Sequence, residues 1–271
     1  GSWVFVEDRT CAAWIPSPKS PLTIRWDGAC DRCMASGRGE LTVLYDGKAY
    51  FQWQALLVQG HVEGSGELRV YQGLEWSYVG DLRDGAAHGD GSFTMEDGTK
   101  LTGRWKLDKP SGPQRVVRED GFAMVAPMFR AFTIDGAVAG VWPDGATLRT
   151  TYTDPHQHGV RAVDTPSGGT CRMPYVKGLA HGRFVAATQV AGLDATIEVK
   201  FWDGRRRGKF EIRLDGRLVA KADRANAGKS DLELEDGATR VDLLRAGAAM
   251  NFAGGAIPKC VHINDLRAPQ P

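Results

Sequence analysis

The chain has 271 residues, 42% of them apolar and 25% charged, and carries a formal net charge of +1. Such a composition belongs to a folded chain, and its near-balance of charge argues against a nucleic-acid partner, because phosphate affinity comes from many clustered cations. No run approaches the roughly 18 uninterrupted apolar residues that a membrane-spanning helix needs.

In chain order, the start Gly1-Ser2 without Met reads as a cloning remnant, left where a natural beginning with a signal peptide was removed. Residues 1–23, rich in proline after Trp14, form an N-terminal capping segment. The five cysteines are Cys11, Cys30, Cys33, Cys171 and Cys260. A redox Cys30-x-x-Cys33 would need a thioredoxin-like strand-to-helix setting, and a zinc site would need a second close ligand pair. Neither is present, so the cysteines read as one or two disulfides and a spare thiol in an oxidising compartment.

From residue 24 a glycine recurs at a nearly fixed interval. Gly47, Gly73, Gly98, Gly121, Gly145, Gly168, Gly192, Gly216 and Gly237 are separated by 26, 25, 23, 24, 23, 24, 24 and 21 residues, and six of the nine follow an Asp. Other glycines open the preceding strand, as in Gly37-Arg-Gly39, Gly64-Ser-Gly66, His88-Gly89-Asp90-Gly91, His158-Gly159 and His181-Gly182. Apolar residues then alternate: Phe93 and Met95, Val160 and Ala162, Phe210, Ile212 and Leu214. Strands after the turn glycines follow at Leu101–Trp105, Leu148–Tyr152 and Val241–Leu244. Period-two apolar residues bounded by turn glycines predict half-buried strands, and Asp-Gly between them predicts type I′ hairpin tips, where both central residues take positive φ. The array spans 24–245, clearest over 24–110 and 170–240 and degenerate over 112–168; residues 246–271 form a tail packing back on it.

The copy Tyr78-Val-Gly80 followed by His88-Gly89-Asp90-Gly91 and an alternating strand resembles the MORN repeat family, as do Trp26-Asp-Gly28 and Trp202-Asp-Gly204. The resemblance implies an all-β fold: an elongated, single-layer, twisted antiparallel sheet of about nine tandem hairpins. The stretch Cys11 to Cys30 looks like the start of exported bacterial MORN proteins. That likeness implies a Cys11–Cys30 bridge, a Cys171–Cys260 bridge pinning the tail, a free Cys33, and a periplasmic or secreted location.

Function follows from what the residues offer. His88, His158 and His181 hold one place in successive copies and read as packing residues. His156 and His158 are too few for a metal, so no metal, cofactor or catalytic group is expected. Asp-Gly carboxylates serve the turns, and no nucleotide-binding or hydrolase motif is present. The eight tryptophans are the larger resource. A partner-binding face with Tyr50, Trp53, Tyr78, Trp105 and Tyr152, joined by Arg205, Arg206 and Arg207, is expected, because aromatic residues and Arg anchor interfaces. The expected role is a non-catalytic cell-envelope protein, a monomer or weak homodimer, that binds a protein partner along its ribbon. The resemblance extends this to an immunity or adaptor protein for a secreted toxin or effector. A glycan or anionic-lipid module is the alternative, and an enzyme a third.

Overall fold

A hairpin can bury its apolar face only against its neighbours, so the sheet should run in chain order. The computed structural model describes residues 1–242 and 245, except 17, 19, 20, 72, 74, 128, 131, 132, 154, 155, 223–231 and 240; it describes 129–130, 133, 206, 208–210, 222 and 232–234 by backbone alone. The chain divides into two units, Gly1–Thr133 and Ile134–Pro271.

Unit 1 opens with β1 (Ser2–Phe5) and β2 (Ala12–Ile15), paired antiparallel. Next come β3 (Leu22–Trp26), β4 (Ala29–Asp31) and the long β5 (Met34–Tyr45), whose start pairs with β4 and whose end pairs with β3. The ladder continues through β6 (Lys48–Val58), β7 (His61–Val70), β8 (Trp76–Arg83), β9 (Ala86–Met95), β10 (Lys100–Lys106), β11 (Lys109–Val117) and β12 (Ala123–Ala126), each antiparallel to the strand before it. Two short strands, β13 (Phe129–Arg130) and β14 (Thr133–Ile134), follow.

Unit 2 contains β15 (Gly136–Val141), β16 (Thr147–Thr153), β17 (His156–Asp164), β18 (Thr170–Val176), β19 (Leu179–Ala180), β20 (Gly182–Val190), β21 (Leu193–Trp202), β22 (Arg205–Leu214), β23 (Arg217–Ala222) and β24 (Leu232–Leu234). These too pair antiparallel in chain order, with β18 meeting both β19 and β20. The hairpins expected from the glycine spacing, and the all-β single-layer sheet that the MORN resemblance implies, are therefore present in each unit.

One face of each ladder is apolar, built from cross-strand rows. Trp53, Leu68, Tyr78, Phe93, Leu101 and Val116 are successive register partners in unit 1. In unit 2 the row is Leu148, Val163, Cys171, Ala186, Ile197, Ile212 and Ala220, all buried.

The two glycine series do different work. All nine turn glycines lie in the left-handed region, with φ between 72° and 89°. At Asp46-Gly47 and Asp215-Gly216 both residues have positive φ, the expected type I′ tip. Asp97-Gly98, Asp120-Gly121 and Asp144-Gly145 differ: only the glycine is left-handed, and its N–H closes a turn on Met95, Arg118 or Trp142. There the Asp side chain accepts the N–H two residues on, from Thr99, Phe122 or Ala146. An Asp-Gly pair suits this three-residue loop as well as a type I′ tip, so the dipeptide alone does not separate them.

The strand-opening glycines mark a repeated bulge. In β6–β7 the single Ala55 faces Gly64, Ser65 and Gly66; in β8–β9 Asp81 faces His88, Gly89 and Asp90; in β10–β11 Arg104 faces Ser111, Gly112 and Pro113. Unit 2 repeats the device, with Thr150 facing Gly159, Val160 and Arg161, and Val199 facing residues 208–210. Gly64, Gly89, Gly112 and Gly159 all have positive φ, which such an insertion requires.

Beside the bulges of unit 1 runs a row with no side chains: Gly66, Gly80, Gly91 and Gly103 are register partners across β7 to β10. The Tyr78 side chain lies over Gly80 and Gly91, and a Cβ on Gly91 would sit 2.1 Å from its hydroxyl oxygen, while Gln114 covers Gly103. Trp26 covers Gly28 and Gly39 in the same way. This is why an aromatic stands two residues before a glycine. Trp202-Asp-Gly204 is different: it forms a two-residue tip, with Asp203 and Gly204 both at positive φ and Trp202 56% exposed.

One expected strand is replaced. Val241 and Asp242 are helical. The Thr239 hydroxyl accepts the Asp242 N–H at 3.1 Å and the Asp242 carboxylate accepts the Thr239 N–H at 2.9 Å. This reciprocal helix cap outweighs the alternating pattern that suggested β structure. Arg217 adds a 2.7 Å ion pair to Asp242.

Two outcomes test this account. Gly91→Ala should destabilise unit 1 by about 2–4 kcal/mol through overpacking against Tyr78; urea denaturation should show most of that cost vanishing in a Tyr78→Ala background. Cys33, exposed at φ 64° beside Arg32 at φ 47°, occupies the second position of a type I′ tip. Cys33→Gly should therefore raise stability by about 1 kcal/mol in the same assay.

Candidate functional site

A bulge takes backbone carbonyls off the ladder, and buried polar side-chain ends need acceptors. In unit 1 the two requirements meet. Trp53 Nε1 donates to the Gly85 carbonyl and Trp105 Nε1 to the Gly91 carbonyl, both at 3.1 Å. The Tyr78 hydroxyl lies 3.0 Å from the carbonyls of both Asp81 and His88. With these ends anchored, the rings lock together. Tyr78 meets Trp105 edge-on at 5.5 Å, Phe93 lies 5.7 Å from Trp105 and 5.1 Å from Trp76, and Phe51 lies 5.6 Å from Trp53.

Over these rings lies a groove of about 430 Å³, within the size range of small-ligand sites. Trp53, Tyr78 and Trp105 are only 3%, 1% and 3% exposed, so they form its floor. Phe51, Trp76 and Phe93 are half-buried and form its reachable apolar surface. The N-terminal segment supplies a wall through Ile15 and Pro16, and Pro16 packs toward the Gly85 tip.

That wall is fastened at several points. Trp14 N–H donates to the Gly60 carbonyl at 2.8 Å. Trp3 and Trp14 gather on His61, at 5.1 and 5.8 Å, and His61 Nδ1 lies 2.7 Å from Asp84. Upstream, the expected Cys11–Cys30 disulfide is present, with Cα atoms 5.7 Å apart, and Cys33 is the free thiol. Cys171 is disulfide-bonded; Cys260, its expected partner, lies outside the described residues.

Electrostatically the groove is one-sided. Asp108, exposed at the rim on the tip after β10, accepts the Ala87 N–H at 2.7 Å. Burial of its carboxyl among neighbouring atoms raises its pKa against the opposing pull of that hydrogen bond. Tyr78 is pushed up to about 12, first by burial and then by the negative charges of Asp81, Asp90 and Asp108.

Of the residues expected to bind a partner, the structure brings together Trp53, Tyr78 and Trp105. Tyr50 belongs to unit 1 but is not among the residues lining the groove, and it meets Tyr45 and Phe51 edge-on. Tyr152 is half-buried on β16 of unit 2. Arg205 and Arg207 are exposed on β22, while Arg206 has no described side chain. Arg207 lines a polar depression together with the ion pairs Arg183–Glu198 and Arg213–Glu211. Phe51, Trp76, Phe93 and Asp108 were missed, although Phe51 and Trp76 each stand two residues before an expected residue and so share its face.

Tyr78 gives a pH signature. Its folded pKa stands above the ordinary 10.0, so folding favours the neutral phenol and stability should fall as pH rises from about 10 to about 12. Denaturation across that window should show a shallower decline in Tyr78→Phe. No protein-family model matches the chain, and no curated protein matches it either.

Proposed function

We propose that the chain is a non-catalytic, MORN-like repeat protein of the bacterial cell envelope that binds a protein partner through the aromatic groove of unit 1. The observation that carries this reading is the groove floor. Its tryptophans and tyrosine spend their polar groups on backbone carbonyls and make a fixed apolar bed beneath the reachable rings of Phe51, Trp76 and Phe93. Half-buried Phe51, Trp76 and Phe93 have the character of interface anchors, large rings in a well-packed setting. The Cys11–Cys30 disulfide fits an oxidising compartment, and so a periplasmic or secreted location. An immunity or adaptor role toward a secreted toxin or effector is the specific form of this proposal.

Trp202 favours a second reading. It is exposed, tilted against His181 at 4.3 Å, and register partner of Arg205. A ring beside a cation suits a glycan or an anionic headgroup, and glycan-array and liposome binding lost in Trp202→Ala would favour it.

The test of the leading proposal is affinity capture from the native cell envelope followed by mass spectrometry. A stoichiometric protein partner is expected, and Phe51→Ala with Phe93→Ala should weaken its binding by more than about tenfold while leaving the far-UV spectrum intact. Capture of no partner, or of one indifferent to both changes, would overturn it.

A further inference from the structure

Among the described residues, the side chains lining the groove are apolar or aromatic except at one point of its rim, and that point carries a carboxylate. Its nearest counterpart, Asp84 on the preceding tip, is engaged by His61 at 2.7 Å. Asp108 has no ion-pair partner among the described residues, and its hydrogen bond from Ala87 occupies one oxygen only. The nearby lysines do not compensate. Lys106 and Lys109 are register partners of each other, while Trp105 pairs with Pro110, so alternation puts both lysines on the face away from the groove. A partly desolvated, uncompensated carboxylate beside aromatic ring surface is a site with half of its charges missing.

We propose that the groove seats an arginine side chain of the partner protein, its stem against Phe93 and Phe51, its guanidinium against the rings with Asp108 as counter-charge. This rests on the groove being the protein-binding surface. Three features of the site favour this occupant. Ring faces attract a cation electrostatically, and the attraction grows as water is excluded. The planar guanidinium stacks on aromatic rings and donates in a fork to a carboxylate, which a lysine ammonium cannot do. The volume of about 430 Å³ leaves room for apolar neighbours of the arginine, so the recognised feature is an arginine in an apolar peptide context. The field has the matching sign, since Asp81, Asp90 and Asp108 all bear on Tyr78 at the groove floor.

The experiment uses the full chain and three probes: acetyl-Leu-Arg-Leu-amide, its citrulline counterpart, and phosphocholine. Citrulline keeps the shape of arginine and removes its charge. Binding is followed through the indole N–H resonances of Trp53, Trp76 and Trp105. The arginine peptide should give saturable shifts centred on Trp76, and the citrulline peptide should bind about tenfold more weakly. Asp108→Asn retains an acceptor for Ala87 N–H, and Asn tolerates the left-handed backbone that Asp108 occupies at φ 62°. It should therefore leave the fold unchanged, weaken the arginine peptide to the citrulline level, and leave citrulline binding where it was. Equal binding of both peptides, no saturable shift with arginine, an unaffected Asp108→Asn, or tighter binding of phosphocholine would each overturn the proposal. The two proposals fail separately. A captured partner that ignores Asp108→Asn removes the arginine and spares the partner; saturable arginine binding with no captured partner does the reverse.

Discussion

The fold depends on where two surplus residues can be placed within each bulged hairpin. Hydrogen bonding along a ladder forbids them unless a glycine takes the left-handed region and the neighbouring strands leave space. The row Gly66, Gly80, Gly91 and Gly103 provides that space, and the carbonyls set free beside it receive the polar ends of Tyr78 and Trp105. In unit 1, bulge, bare row and anchored ring are therefore one device. Without the glycines the ring has no bed, and without the ring the freed carbonyls would be buried unpaired.

A second device joins consecutive hairpins. Along the edge that carries the bulges, the second residue of five described tips donates its N–H to the hairpin before it: Gly60 to Ala35, Gly85 to Val62 and Asp108 to Ala87 in unit 1, and Gly178 to Gln157 and Gly204 to Ala180 in unit 2. These bonds of 2.8 to 3.1 Å tie each copy to its predecessor. They place Asp108 where its carboxylate can reach back to Ala87, so the rim of the groove is a by-product of how copies are stitched. The N-terminal segment reaches the same edge at Gly60 and completes the groove with a wall that belongs to no repeat.

Much of this was legible because glycine punctuates backbone geometry directly. All nine periodic turn glycines proved left-handed, since a positive φ is nearly the only reason to keep glycine at a fixed interval. Tip types were less legible, because Asp-Gly serves both a type I′ tip and a loop in which the Asp side chain accepts the N–H two residues on. Leu107-Asp108 was hidden for the opposite reason: both residues take positive φ without any glycine. Its only sequence trace is that Asp108 follows Asp84, the preceding tip, at the repeat interval. Val241 and Asp242 looked like strand because alternation was read ahead of the Thr239 cap. For the candidate site, Trp53, Tyr78 and Trp105 were expected on one face and the structure brings them together, but which rings are floor and which are surface depends on the overlying Ile15 and Pro16, a contact between distant parts of the chain.

The stitching of tips has an evolutionary side. Each of these five tips asks only for a carbonyl in the preceding copy, and among the described residues that copy offers one at the corresponding place. An in-frame duplication of one period would therefore deliver a hairpin whose partners already exist above and below it, and an in-frame loss would close over without a scar. A lineage built this way can lengthen or shorten its array while a specialised copy, such as the one bearing Asp108, drifts on its own.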